Sequence, residues 1–179
     1  PHGDFKLKVN TKTIDEDPEK FDLVILACKA FNLESACKKI KKIVLGQTVI
    51  LPLLNGISHI NILSKFFGEK SILGGAAHIA AVLTSEGIIK QLNPIQILTI
   101  GDLNEHTSLV SIAFVELCKP ADFSVIYTNN IEQAMWDKWT FLATLASSTI
   151  LFRNSVGAIT ETDLGADLMM RIYDECLLI

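Results

Sequence analysis

The sequence DLVILACKAFNLESACKKIKKIVLGQTVILPLLNGI, residues 22–57, decides the fold of this chain. Six consecutive apolar residues separate Asp22 from Lys29, a length typical of a strand that is covered on both faces. Apolar residues then recur with helical spacing from Asn32 to Ile43, and a second short apolar run follows. Another helical pattern spans residues 58–67. Strand, helix, strand and helix in this order predict a parallel, doubly wound sheet.

Polar or small residues follow both predicted strands: Lys29 follows the first, and Asn55 and Gly56 follow the second. In open α/β sheets, ligands bind beyond the carboxyl ends of the strands, so these three positions are candidate binding residues. Each also has a simpler interpretation. Lys29 can mark the point where a strand reaches solvent, and Asn55-Gly56 can form an ordinary turn.

The pattern changes on both sides of this unit. An alternating run over residues 5–9 predicts an edge strand, followed by a charged loop. After residue 71, GGAAHIAAVL predicts a strand, Ser85-Glu86-Gly87 a turn, and IIKQL and IQILTIG two short strands separated by Asn93-Pro94. His78 lies in the first of these strands, where a core histidine is a more ordinary interpretation than a ligand contact. A helix over residues 106–118 and a strand over residues 123–128 complete the predicted sheet region.

A long helix is predicted over NNIEQAMWDKWTFLATLASST, residues 129–149, with Asn129 and Glu132 in a capping-box pattern at its start. One side of this helix is apolar, and Lys138 lies at the centre of that side, whereas Thr140, Thr144 and Ser148 lie on the other. A buried, unpaired ammonium would cost several kcal/mol, so this lysine must reach solvent, find an anion or lose its proton. Lys138 is therefore either a site residue or a lysine at the rim of the core with only its stem buried.

The predicted fold class is α/β: an incomplete doubly wound, Rossmann-like sheet followed by the first helices of an all-α domain. We place the domain boundary after Thr128, between a sheet domain of residues 1–128 and a helical domain that begins at residue 129. A connection over residues 152–159 leads to a last helix from about Thr162, with Thr160 and Asp163 as a second capping box.

Composition excludes several classes of function. The 179 residues are 49% hydrophobic and carry a formal net charge of -4, so a nucleic-acid-binding surface is not expected. No apolar run approaches the roughly 18 residues of a membrane span, and we expect a cytoplasmic protein. The four histidines are dispersed and the four cysteines lack CxxC spacing, so we predict no metal site and reduced thiols that mostly fill the core.

Because the chain opens without methionine and closes within a helical pattern, we expect a piece of a longer protein.

Four segments together resemble the ketopantoate reductase (2-dehydropantoate 2-reductase) family in order, spacing and character. They are DLVILACKAFNLESA, VILPLLNGI, GGAAHIAAVLTSEGII and NNIEQAMWDKWTFLATLASSTILFRNSVGAI, and they cover nearly the whole chain. The resemblance implies NADPH-dependent reduction of an α-keto acid, with NADP as cofactor and Lys138 as the catalytic proton donor. It implies that residues 1–128 form a partial dinucleotide-binding domain and that residues 129–179 begin a helical substrate or dimerisation domain. It also implies that Asn55 bridges cofactor and substrate, that Lys29 lines the cleft, and that Ala80 contacts the cofactor through its backbone. The expected partners are a keto-acid substrate and, for assembly, a second copy in a homodimer.

The chain departs from the family pattern at several points. It has no GxGxxG turn, and the later part of the family's helical domain lies beyond Ile179. Many members place asparagines one and two turns after the lysine, where this chain has Leu142 and Ala146, which cannot hydrogen-bond a substrate. The alternatives are therefore reduction of 2-dehydropantoate, a related dehydrogenase acting on a different keto acid, or a non-catalytic fragment that self-associates through exposed strand edges.

Overall fold

The computed structural model describes residues 8–13, 20–104 and 108–179. In chain order the strands and helices are β1 (Leu23–Leu26), α1 (Leu33–Ile40), β2 (Val49–Pro52), α2 (Ser58–Phe67), β3 (Leu73–Leu83), β4 (Ile89–Asp102), α3 (Ser108–Cys118), β5 (Ser124–Tyr127), α4 (Ile131–Phe152), α5 (Val156–Thr160) and α6 (Gly165–Leu177). The described residues divide into two compact units, one up to Glu132 and one from Gln133 to Ile179. The mixed α/β architecture that the sequence predicts is confirmed.

The first unit begins with the predicted parallel pair. β1 and β2 run in register from Leu23 opposite Val49 to Leu26 opposite Pro52. A single parallel bridge between Ile50 and Ile72 connects β2 to the start of β3. All four residues of β2 are buried, as a central strand requires.

The side chains of β2 alternate between two hydrophobic clusters. Ile50 belongs to a cluster with Leu26 of β1, Leu33 and Cys37 of α1, and Leu63 of α2. Val49 and Leu51 belong to a second cluster, in which partly buried side chains of α3 also pack. Helices therefore cover both faces of this strand, as in a doubly wound sheet. The four cysteines are free thiols, of which Cys37 is buried.

The prediction that β1 is covered on both faces is wrong for the described residues. Ile25 is 47% exposed, and only Leu26 of this strand is buried. Among these residues β1 has one ladder neighbour, β2, so its other edge is unpaired, and the face that carries Ile25 is uncovered. The predicted edge strand over residues 5–9 lies mostly outside the described residues.

β3 and β4 form a long antiparallel hairpin, one of the two arrangements, hairpin or meander, that the turn at Ser85-Glu86-Gly87 predicts. β5 pairs with β4 in parallel. Thr84 donates its backbone N–H to the carbonyl of Ile88 at 2.8 Å and closes the turn, in which Gly87 has φ +79°. The division into two strands at Asn93-Pro94 is wrong, because β4 is one strand of 14 residues. Pro94 has no N–H to give to a ladder, and the register shifts here, between the pairs Ile79–Gln96 and Ala81–Gln91.

A carboxylate ties three elements of the first unit together. Asp102 ends β4, and its Oδ2 accepts hydrogen bonds from Ser111 Oγ of α3 at 2.9 Å and from Tyr127 Oη of β5 at 2.8 Å. Ser111 is fully buried, so its hydroxyl needs a partner of this kind.

Replacing Tyr127 with phenylalanine removes one of these hydrogen bonds and keeps the ring. We expect the free energy of unfolding to fall by about 1–2 kcal/mol, since the acceptor is a carboxylate. Urea unfolding measures this loss. Tyr173→Phe on the exposed side of α6 is the matched control, and equal stability of both variants would show that the Tyr127 hydroxyl makes no net contribution.

Two glycines of the first unit are required by close approaches between backbones. A Cβ on Gly75 would lie 2.8 Å from Leu51 Cδ1 and from the carbonyl oxygen of Pro52. A Cβ on Gly101 would clash with the carbonyl oxygen of Thr128 and lie 2.8 Å from Ile131 Cβ. The start of α4 is thus seated directly against the end of β4.

The second unit consists of most of α4 together with α5 and α6. α4 begins at Ile131, so the predicted cap at Asn129 is wrong; the Thr128 hydroxyl instead accepts the N–H of Asn130 at 3.1 Å. α4 ends at Phe152, and Arg153 has φ +50°. The predicted connection contains α5, which is capped by Ser155. The second capping box is also wrong, because α6 starts at Gly165.

The predicted sides of α4 are correct only near its start. Ile131 and Met135 are buried as expected, whereas Phe141 is 58% exposed. Thr140 and Ser148, predicted on the solvent side, are buried. Small hydroxyl side chains allow close packing, and hydropathy alone does not distinguish such a stripe from a solvated face.

Candidate active site

The carboxyl edge of β1 and β2 presents the two polar side chains that the sequence singled out. Lys29 lies three residues after Leu26, and Asn55 lies three residues after Pro52, the partner of Leu26 in the ladder. Both side chains are exposed. The carbonyl of Lys29 accepts the N–H of Asn32 at 2.9 Å, which starts the short turn leading into α1. Lys29 and Asn55 are therefore brought to one edge of the sheet.

Backbone geometry keeps this edge open. Gly56 has φ +88°, a conformation that L side chains rarely adopt, and a Cβ built there would meet nothing within 4 Å. α2 begins two residues later, at Ser58. The turn interpretation of Asn55-Gly56 is thus correct as far as local structure is concerned, and the turn leaves the Asn55 amide in solvent.

Ala80 lies in β3, at the point where the hairpin register shifts. It is half-buried, and it lies between the residues that pair with Gln96 and Gln91. Because β3 runs parallel to β2, residues that follow Gly75 extend past the same edge that carries Asn55. Three of the predicted site residues thus belong to neighbouring segments of the first unit.

An apolar cleft of about 350 Å³ lies in the first unit, close in sequence to these residues. Its walls come from β1, the segment after β2, β3, β4, α3 and the segment before β5. They are Ile25, Leu53, Ala77, His78, Ile79, Gln96, Ile97, Leu98, Phe114 and Phe123. Sequence reasoning missed this cleft because its lining residues are far apart in the chain and share no spacing; only His78 had been considered.

Lys138 lies in the third turn of α4, in the second unit. Its side chain is half-buried, and burial lowers the pKa of the ammonium from its ordinary value of 10.5. The cause is loss of hydration, which disfavours the charged form. A lysine in this condition is a better proton donor than one in water, because its pKa lies nearer to neutral pH.

The side chains next to Lys138 on the same face of the helix are apolar. Ala134 lies one turn before it, and Leu142 and Ala146 lie one and two turns after it. Leu142 is half-buried and Ala146 is exposed. The roles predicted for these residues and for Lys29, Asn55 and Ala80 stay predictions.

The residues of the first unit fit part of a dinucleotide. An exposed lysine and an exposed amide at the carboxyl edge of a parallel pair suit the phosphate and polar ring substituents of such a ligand. No GxGxxG turn occurs in the 179 residues to hold a pyrophosphate.

Within the described ranges no cluster of three or more metal-ligating side chains occurs. None of the helices in these ranges is long and apolar enough to cross a membrane.

Comparison with known proteins decides the family. Residues 1–105 match the family model described as ketopantoate reductase PanE/ApbA. The chain belongs to the ketopantoate reductase family. Among curated relatives, the uncharacterized oxidoreductase YkpB of Bacillus subtilis (strain 168) is 31% identical over 157 residues, which are 87% of this chain and 52% of YkpB. The 2-dehydropantoate 2-reductase of Aquifex aeolicus (strain VF5) is 25% identical over 179 residues, covering 97% of this chain and 56% of the relative.

Solved structures show the same fold. The 2-dehydropantoate 2-reductase of Geobacter metallireducens GS-15 matches with a TM-score of 0.79 at 23% identity, over 89% of this chain and 52% of that one. A ternary structure of D-mandelate dehydrogenase with NADH and anilino(oxo)acetate matches with a TM-score of 0.75 at 21% identity, over 84% and 48% of the two chains. The chain thus spans about half the length of these ketopantoate reductase relatives. The relatives that the chain matches include an oxidoreductase and 2-dehydropantoate 2-reductases.

Proposed function

We propose that the protein containing this chain reduces a 2-keto acid to the 2-hydroxy acid with NADPH, and that Lys138 supplies the proton. The first candidate reaction is that of the family, 2-dehydropantoate to pantoate in pantothenate biosynthesis. The observation that carries the proposal is the half-buried Lys138, whose pKa is lowered by burial, on an apolar face of α4. Family membership, Lys29 and Asn55 support it.

The chemistry suits these residues. Bound NADPH would supply the hydride that the keto carbon takes up as its C=O π bond breaks. The oxygen gains negative charge in the same step, and a nearby ammonium both stabilises that charge and donates a proton from Nζ. Lys138 is left neutral and recovers its proton from water. Asn55 is assigned to orient the substrate and cofactor, and Lys29 to bind anionic groups at the sheet edge.

NADPH binding to the chain tests the cofactor assignment directly. We expect Lys29→Ala to weaken binding about tenfold, since a charge-assisted hydrogen bond contributes about 1.5 kcal/mol or more. Fluorescence titration of NADPH measures the change. Lys39→Ala, on the exposed side of α1, is the matched control. If both substitutions weakened NADPH binding equally, Lys29 would contribute only its positive charge and would not bind the cofactor directly.

A second candidate, reduction of a different keto acid, is favoured by Leu142 and Ala146. Neither side chain can hydrogen-bond a hydroxyl or a carboxylate, and both follow Lys138 on its own face of α4. A panel of keto acids separates this candidate from the first.

A third candidate, a non-catalytic fragment that self-associates, is favoured by Ile25, which is 47% exposed on a strand with one described neighbour. Exposed strand edges promote pairing with another chain. A monomer in light scattering would exclude this candidate.

A further inference from the structure

The face of α4 that carries Lys138 is apolar beyond the lysine. With 3.6 residues per turn, Phe141, Leu142 and Leu145 lie within about 60° of Lys138 around the helix axis. Leu142 and Leu145 are half-buried, and Phe141 is 58% exposed. The rise along the axis from Lys138 to Leu142 is about 6 Å, so the two residues occupy successive turns of the same face.

The hydroxyl side chains that follow Lys138 in α4 lie outside this 60° sector, except for that of Thr149. Thr149 shares the face of Lys138, but its Oγ1 donates a hydrogen bond to the carbonyl of Leu145 at 2.7 Å within the same helix. Thr140 and Ser148 are buried about 160° and 80° from Lys138 around the helix axis, and Ser148 Oγ has no hydrogen-bond partner among the described residues. Within the 60° sector, the two turns that follow Lys138 carry Phe141, Leu142 and Leu145, which have no side-chain donor or acceptor.

We infer that the substrate reduced at Lys138 is a 2-keto acid with an apolar side chain that carries no hydroxyl group. The inference rests on the proposed function, in which Lys138 protonates the keto oxygen. With the keto group at Nζ, we place the substituent on its carbon along the helix face that continues through Leu142 and Leu145, with Ala146 at the border of that face. A hydroxyl placed against these side chains loses its hydrogen bonds to water and gains none from the face.

This substrate class differs from 2-dehydropantoate by one chemical group. Trimethylpyruvate is 2-dehydropantoate without its hydroxyl group, so the pair isolates the contribution of that group. An apolar face discriminates against an added hydroxyl by about tenfold to a hundredfold. We therefore expect kcat/KM for trimethylpyruvate to exceed that for 2-dehydropantoate by at least about tenfold.

The experiment measures both kcat/KM values in the full-length protein, its Leu142→Asn variant and its Leu151→Asn variant. Leu142→Asn supplies a donor and an acceptor beside the substituent and should move the ratio at least about tenfold towards 2-dehydropantoate. Leu151 is 69% exposed on the opposite side of α4, so Leu151→Asn should leave the ratio unchanged. Ala146→Asn, at an exposed position, replaces Leu142→Asn if that variant does not fold.

The outcomes separate the two levels of the proposal. The inference is overturned if the wild-type protein prefers 2-dehydropantoate, or if Leu151→Asn shifts the ratio of the kcat/KM values as much as Leu142→Asn does. Either result leaves the keto-acid reductase function in place. Reduction of neither acid overturns the proposed function and the inference together. The proposed function and the inference are both supported if the wild-type protein prefers trimethylpyruvate and an asparagine at position 142 or 146 reverses or reduces that preference.

Discussion

Replacing Lys138 with methionine is expected to lower kcat for keto-acid reduction about 10²–10⁴-fold in the full-length protein, the usual contribution of a positioned proton donor. Methionine keeps most of the apolar stem and removes the ammonium, so KM should change much less than kcat. Steady-state kinetics measures both parameters. Lys119→Met, at an exposed position at the end of α3, is the control. Unchanged kcat in Lys138→Met would place the lysine at the rim of the core with no chemical role.

The pH dependence of the reduction rate is a second test of Lys138 as the proton donor. The donor must be protonated, so the rate of reduction is highest below the folded-state pKa of Lys138 and falls as pH rises through it. Burial lowers that pKa from 10.5, so the fall should begin at a lower pH than for a lysine in water. The residual activity of Lys138→Met should lack this fall.

Stability should respond to Lys138 with the opposite sign. Between the lowered folded-state pKa and 10.5 the unfolded chain binds more protons than the folded chain, so stability rises with pH across this window. Below the window the folded state carries a buried ammonium that methionine does not have. Lys138→Met should therefore be more stable than the wild-type protein at neutral pH while being far less active, a combination that general damage to the fold would not produce.

Replacing Gly101 with alanine should destabilise the first unit by about 3 kcal/mol or more, because the added Cβ collides with backbone on one side and with a β-branched residue on the other. The two neighbours are the carbonyl of Thr128 and Ile131 Cβ, the latter at 2.8 Å. Thr128 lies between β5 and α4 and Ile131 is the first residue of α4, and neither neighbouring atom is the flexible end of a side chain. A fall of roughly 5–10 °C in melting temperature is expected for a chain of this size.

Gly157→Ala is the matched control for Gly101→Ala. Gly157 lies in α5, its added Cβ would meet nothing within 4 Å, and alanine is the better helix former by up to about 1 kcal/mol. The control should therefore match or exceed the wild-type protein in stability. Equal melting temperatures for the Gly101 variant and the wild-type protein would show that the start of α4 moves aside at little cost.

Much of the first unit follows from local sequence pattern. The apolar runs at β1 and β2 and the helical spacing of α2 are patterns of adjacent residues, so these elements can be identified without knowledge of their partners. The lysine of α4 was identified for the same reason, since one charge on an apolar face is visible in sequence. Lys29 and Asn55 follow from the rule for the ends of parallel strands, and the Asn-Gly pair also indicated the turn in which Gly56 has φ +88°.

The parts that sequence did not predict depend on partners distant in the chain. Ser111 and Tyr127 meet at Asp102 only because α3 and β5 both pack against β4. Thr140 and Ser148 are buried by packing that hydropathy does not encode. The continuity of β4 through Pro94 was missed because a proline usually ends a strand, whereas here it coincides with a shift in register that the ladder accommodates.

The position of β2 has a consequence for how the first unit unfolds. Ile50 belongs to one hydrophobic cluster and Leu51 to the other, so neither cluster can open without removing packing from its neighbour. β2, a strand of four buried residues, therefore couples two parts of the first unit. One part is the parallel pair with α1 and α2, and the other is the hairpin with α3. Such a strand makes unfolding cooperative: the region that carries Lys29 and Asn55 keeps its geometry for as long as the hairpin holds, and loses it when the hairpin does.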